Sequence, residues 1–109
     1  MKEKEFLLSS EEIRQLIKPM GSCYASDKIT VDGMKVKYMY REQPVFSGDS
    51  GWRFFSGTET QEYVDDENNL MIYDLNTIVN YDPAIIPFLE MDTGTELERS
   101  SGDNFIIIN

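Results

Sequence analysis

Apolar and polar residues alternate in short blocks along the chain, and the spacing changes from block to block. At Ser9-Ser10-Glu11-Glu12 a serine stands three residues before a glutamate, the spacing of a helix capping box. Ile13, Leu16 and Ile17 follow at helical intervals until Pro19 and Gly21, so the spacing predicts a short N-terminal helix. Ser22 to Val31 reads as a strand, with a break near Ser26-Asp27. Asp32-Gly33 is a hairpin turn signal. Met34 to Arg41 alternates, which predicts a strand burying Met34, Val36, Tyr38 and Tyr40 and exposing Lys35, Lys37 and Arg41.

Gln43 to Asp49 is a loop around Pro44 and Gly48, and Ser50 to Ser56 is a third strand. Its two bulky faces, Trp52 and Phe54 against Arg53 and Phe55, suit a central position. The acidic stretch Thr58 to Asn69 predicts one helical turn near Tyr63. Leu70 to Tyr73 is a brief apolar patch. Asp74 caps a helix through Asn80, and Asp82-Pro83 opens another, shortened or kinked by Pro87. Thr95 to Ser100 and Asn104 to Ile108 form a closing hairpin over Ser101-Gly102-Asp103. The expected fold is one α+β domain over residues 1–109. It has a mainly antiparallel sheet of about five strands, with the N-terminal helix and short helices packed on it.

Charge adds a strong asymmetry. The net charge is −10. Residues 1–53 hold nine Lys and Arg against eight acids, whereas residues 54–109 hold Arg99 against twelve acids. From Phe54 to Glu98 there is no base. Such a field repels nucleic acid and anionic membranes and steers basic partners inward. Cys23 is the single cysteine, which fits a reducing compartment, by default the cytoplasm. Phe6, Leu7 and Leu8 are too few for a signal-peptide core, and no run approaches the ~18 apolar residues of a membrane span.

The chain contains no histidine, so catalysis by a serine or cysteine paired with histidine is excluded. A single cysteine excludes thiolate zinc sites and CxxC redox chemistry. Asp65, Asp66, Glu67 and Asn69 offer oxygen ligands but lack the order of an EF-hand loop. Cys23 reads as a small core residue, and Trp52 and Phe54 as core packing. Arg53, the last base before the acidic half, pairs with a carboxylate or meets a partner. The expectation is therefore a protein that is not an enzyme and carries no cofactor. Its candidate partner-binding residues are Arg53, Glu59, Glu62, Tyr63, Asp65, Asp66 and Glu67, most of them acidic and loop-borne around one aromatic.

Three runs carry a resemblance: Ser50-Gly51-Trp52-Arg53-Phe54-Phe55-Ser56-Gly57, Tyr73-Asp74-Leu75-Asn76-Thr77-Ile78, and Asn80-Tyr81-Asp82-Pro83-Ala84-Ile85-Ile86-Pro87. Together with the stretches from Ser26 to Arg41 and from Gly94 to Arg99 they resemble a bacterial immunity-protein-like domain family, the "immunity protein thirty-three" group. The likeness covers roughly residues 22–99 and departs at Leu97, where an aromatic is expected. It implies an α+β fold and a small intracellular protein that binds and neutralises a cognate toxin. It transfers no catalytic residue. The implied partner is a protein, a basic toxin domain, with no nucleic acid and no membrane, and the chain itself is a monomer or weak homodimer. The alternative is a small regulatory module of unknown target that binds a small ligand or else pairs with its own copy through the apolar strand Phe105 to Ile108.

Overall fold

The buried side chains mark where the sheet must lie. In the computed structural model, which describes residues 4–108, Cys23, Ala25, Met39, Trp52, Phe54 and Leu97 are fully or almost fully buried. They come from four strands, β1 (Ser22–Ser26), β2 (Tyr38–Arg41), β3 (Asp49–Phe55) and β5 (Glu96–Ser101). With β4 (Leu70–Asp74) and β6 (Asn104–Ile107) these form one six-stranded sheet in the order β4-β1-β3-β2-β5-β6. Every neighbouring pair is antiparallel except β1 and β3, which run parallel. The fold class is α+β, as expected, with one strand more than the pattern suggested.

One face of the sheet is covered by α3 (Leu75–Tyr81) and a 3-10 turn over Pro83–Phe88. Leu75, Ile78 and Val79 recur at helical spacing and point into the core. Asp74 caps α3 by accepting from the Asn76 amide, and Asp82 caps the 3-10 turn through the Ala84 amide. Pro87 lies inside that turn. The shorter α1 (Asp27–Thr30) and α2 (Gln61–Asp65) sit between strands. No helix among the described residues is long and apolar enough to cross a membrane.

The N-terminal helix does not form. The capping contact is present, with the Ser9 amide donating to Glu12 Oε1 at 2.9 Å, but only a 3-10 turn over Ser10–Glu12 follows. The amides beyond it are taken by α3. Asn80 Oδ1 accepts from Arg14 N at 2.9 Å, and Asn76 Oδ1 from Leu16 N at 2.8 Å and Ile17 N at 3.3 Å. Both asparagines donate back to the Arg14 carbonyl at 2.8 Å. Residues 13–17 therefore lie as an extended strap along the outer side of α3, their hydrogen bonds made to another element.

Three further expectations change. The second half of the expected strand Ser22–Val31 is α1, begun when Ser26 Oγ accepts from the Lys28 amide. Asp32-Gly33 is a turn, but not a hairpin, because β1 pairs with β3 and β4 and β2 with β3 and β5. The expected strand Met34–Arg41 starts only at Tyr38. Its earlier part is diverted: Asp82 Oδ2 accepts from Val36 N at 2.9 Å, and Lys35 Nζ donates to the Tyr81 carbonyl. The alternation loses phase there. Val36 and Met39 are buried, whereas Tyr38 and Tyr40 face the other side and Met34 is exposed.

β3 holds the middle of the sheet around a buried ion pair. Arg53 donates to Asp49 Oδ1 from NH1 and to Oδ2 from NH2, at 2.9 and 2.8 Å, and to Glu42 Oε2 from Nε at 2.6 Å. Asp49 also accepts from the Val45 and Gly51 amides. These donors, Arg53 first, hold its carboxyl well below the usual carboxylate range. Gly51 has φ +91°, and a Cβ there would run into the Glu42 carbonyl oxygen, so only glycine lets β3 approach the end of β2.

Asn76→Ala should free the Leu16 and Ile17 amides to exchange with solvent while the Phe54 amide stays protected. The cost should be about 1 kcal/mol, checked by hydrogen exchange and denaturant unfolding. Asp49→Asn should cost about 3–5 kcal/mol near neutral pH, because it leaves a buried guanidinium short of charge. Since the folded-state pKa of Asp49 is depressed, its contribution is present above the unfolded value near 4 and is lost as pH falls further. Denaturation series at several pH values should show stability falling below about pH 4 in the parent and a flatter profile in the variant.

Candidate functional site

Among the described residues no helix crosses the middle of the sheet's second face, and register places a set of rings and acids there. Tyr38 pairs with Phe55 on one side and Glu98 on the other, and Tyr40 with Arg53 and Glu96. Tyr24 pairs with Arg53 and Ile72. Each of β2, β3 and β5 thus carries a buried residue (Met39, Phe54 or Leu97) between two that point to this open face.

The rings form one continuous surface. Tyr40 stacks on Phe55 with centroids 6.0 Å apart and planes 9° apart, and Tyr38 lies 5.6 Å from Tyr40. Tyr38 Oη donates to Glu96 Oε2 at 2.7 Å. Burial, followed by that bond and the Glu96 charge, pushes the Tyr38 phenol far up, so it remains a donor at any physiological pH. Burial, followed by Glu42, raises Tyr40 as well. Beside them the Arg53 guanidinium lies over the Tyr24 ring at 4.8 Å, and Phe46 meets Tyr24 edge-on.

Above the rings is a basin of about 370 Å³. Tyr38, Tyr40 and Phe55 line its floor. Glu59 and Val64 stand on the side of α2, Glu98 and Ile108 on the side of the closing hairpin. Glu59 is held rigidly: its carboxylate accepts from the Ser56 and Gly57 amides and the Ser56 hydroxyl. Burial alone would raise its pKa, but those donors leave it below the ordinary value. Glu98 makes no ion pair among the described residues.

The sequence-predicted residues fall in three places. Glu59 lines the basin. Arg53 is buried beneath the same face, engaged by Asp49 and Glu42. Glu62, Asp65, Asp66 and Glu67 are exposed on and just beyond α2, where Asp65 accepts from Gln61 and Asp66 caps a 3-10 turn over Glu67–Asn69. Tyr63 is half-buried under Lys28, whose Nζ lies 5.2 Å from the ring. Among the described residues no three His, Cys, Asp or Glu side chains come together to hold a metal ion. Cys23 is buried, and burial first of all drives its thiol pKa up.

Sequence reasoning missed Tyr38, Tyr40, Phe55, Glu96 and Glu98. The available signal was a repeated triplet, an apolar residue between two ring or charged residues: Tyr38-Met39-Tyr40, Phe54 between Arg53 and Phe55, and Glu96-Leu97-Glu98. Taking Tyr38 and Tyr40 as core hid it.

Comparison with curated proteins and with solved structures finds no match. The family model described as Immunity protein Imm33 domain matches residues 23–109. That span begins within β1 and runs on through β6, so it takes in all but the first residue of the sheet, both walls of the basin and the closing hairpin. On a match over most of its length, the chain belongs to the Imm33 immunity protein family.

Proposed function

We propose that this protein neutralises a cognate toxin by binding it, with the open face of the sheet as the contact surface. The observation that carries the reading is the half-exposed plane of Tyr38, Tyr40 and Phe55, edged by carboxylates on a rigid sheet. Aromatic anchors that lose water on contact supply most of the affinity of a typical interface, and charge at the rim supplies steering. The acidic half of the chain favours a basic partner, such as a toxin domain whose own ligand is anionic. Binding requires no nucleophile or general base, which suits a chain without histidine and with its one thiol buried.

The acids on and beyond α2 take a different part in this reading. Glu62, Asp65, Asp66 and Glu67 are exposed, and the ring among them, Tyr63, is half-buried under Lys28, so they attract the partner without anchoring it. A second reading rests on β6, the edge strand, where Ile106 and Ile107 are half-exposed or more. A homodimer paired through that edge would appear in sedimentation as a mass that rises with concentration.

The test is capture of partners by the tagged protein from its source organism, followed by co-expression of the captured protein with and without this chain. A captured protein that arrests growth, and is silenced by co-expression, is the expected outcome. Tyr40→Lys should weaken that complex by about 2 kcal/mol, roughly 30-fold, mainly through faster dissociation. Reversing Asp65 and Asp66 to lysine should slow association at low salt and flatten its salt dependence, leaving dissociation nearly unchanged. Full protection by the Tyr40→Lys protein would remove the open face from the mechanism.

A further inference from the structure

Resting on the reading that the open face docks a partner, we propose that the basin above Tyr38, Tyr40 and Phe55 receives a single cationic side chain of that partner. The floor is aromatic and the rings are packed against one another, so they present faces rather than gaps. A cation over such a face is drawn to the negative side of the ring quadrupole, and a planar guanidinium can also stack on it.

The walls supply the charge. Glu98 stands on the hairpin side, with no ion pair among the described residues, directly across from Tyr38 in register. Glu59 stands on the α2 side, its carboxylate fixed and kept ionised by backbone amides. Glu96, two residues before Glu98 on β5, is tied to the Tyr38 hydroxyl and adds a third negative charge at the edge. Among the described residues no basic side chain lines the basin, and Lys37 lines the neighbouring groove beside Arg99 instead. A neutral apolar anchor would bury the Glu98 carboxylate without compensation, whereas a cation meets the carboxylates and the ring faces together. The apolar side chains of Val64 and Ile108 complete the walls, as would suit the methylene stem of a long basic side chain.

The experiment uses the whole protein, labelled with nitrogen-15, titrated with N-acetyl-arginine-N-methylamide and separately with its citrulline counterpart, a neutral molecule of nearly the same shape. The expected result is saturable amide shifts centred on Tyr38, Tyr40, Phe55 and Glu98 with the arginine compound, and at least tenfold weaker affinity for citrulline. Glu98→Gln, a change at an exposed strand position, should reduce arginine affinity threefold or more. Tyr40→Leu, which keeps an apolar contact and loses the phenol ring, should do likewise. Equal shifts from the two compounds, or arginine shifts spread over the α2 acids instead of the basin, would overturn the proposal. Either result leaves the docking face itself to be decided by the capture and protection experiment.

Discussion

A guanidinium placed under the middle of a sheet has to be met by acceptors from every side that water cannot reach. Arg53 is in that position, and much of the architecture follows from satisfying it. Asp49 turns back from the start of the same strand, Glu42 reaches in from the end of β2, and Tyr24 covers the planar face. Each of these contacts ties a different segment to β3. Asp49 also gathers Val45 and Gly51, so the loop before β3 is fixed by the same charge. The pair need not add net stability over an apolar substitute. What it does is specify which strands flank β3 and in which register, because any shift would strand the charge.

The parts legible in the sequence are those governed by local chemistry. Asp74 and Asp82 are caps because their side chains reach amides two residues on, and the closing hairpin follows from Gly102-Asp103 between two strand-like runs. Trp52 and Phe54 are core because β3 is central. Two of the misread parts share one cause, a backbone group claimed by a distant side chain. Asn76 and Asn80 take the amides that would have built a helix over residues 13–17, and Asp82 takes Val36 and so resets the phase of β2. Nothing near Arg14 or Val36 in the sequence announces a partner more than forty residues away. The phase error then concealed the candidate site, since Tyr38 and Tyr40 were assigned to the wrong face.

The runs that carry the family resemblance are mostly scaffold. In Ser50–Gly57, Gly51 permits the close approach to β2, Trp52 Nε1 donates to the Leu89 carbonyl at 2.9 Å, and Arg53 is enclosed. In Asn80–Pro87, Asn80 holds the strap and Asp82 joins the segment before β2, the 3-10 turn and Arg99. Of the rings and acids around the basin, Phe55 lies within those runs, Tyr38 and Tyr40 within the stretch from Ser26 to Arg41, Glu96 and Glu98 within that from Gly94 to Arg99, and Glu59 outside them all. The three runs therefore describe mainly how the sheet is assembled, while most of the surface proposed to meet a partner lies on the stretches beside them.

The parallel pair in an otherwise antiparallel sheet bears on how the chain reaches its fold. β1 lies between β3 and β4, yet neither follows it directly: β3 begins at residue 49 and β4 at residue 70. The hairpins β2–β3 and β5–β6 need only short loops to close, whereas the slot for β1 exists only after both of its walls are in place. β1, though it precedes them in the chain, thus completes its pairing only when both β3 and β4 are present. The strap along α3 can settle only after that helix has been synthesised. The strap and β1, residues 13–17 and 22–26, take their places from segments that lie between twenty-seven and sixty-six residues further along the chain.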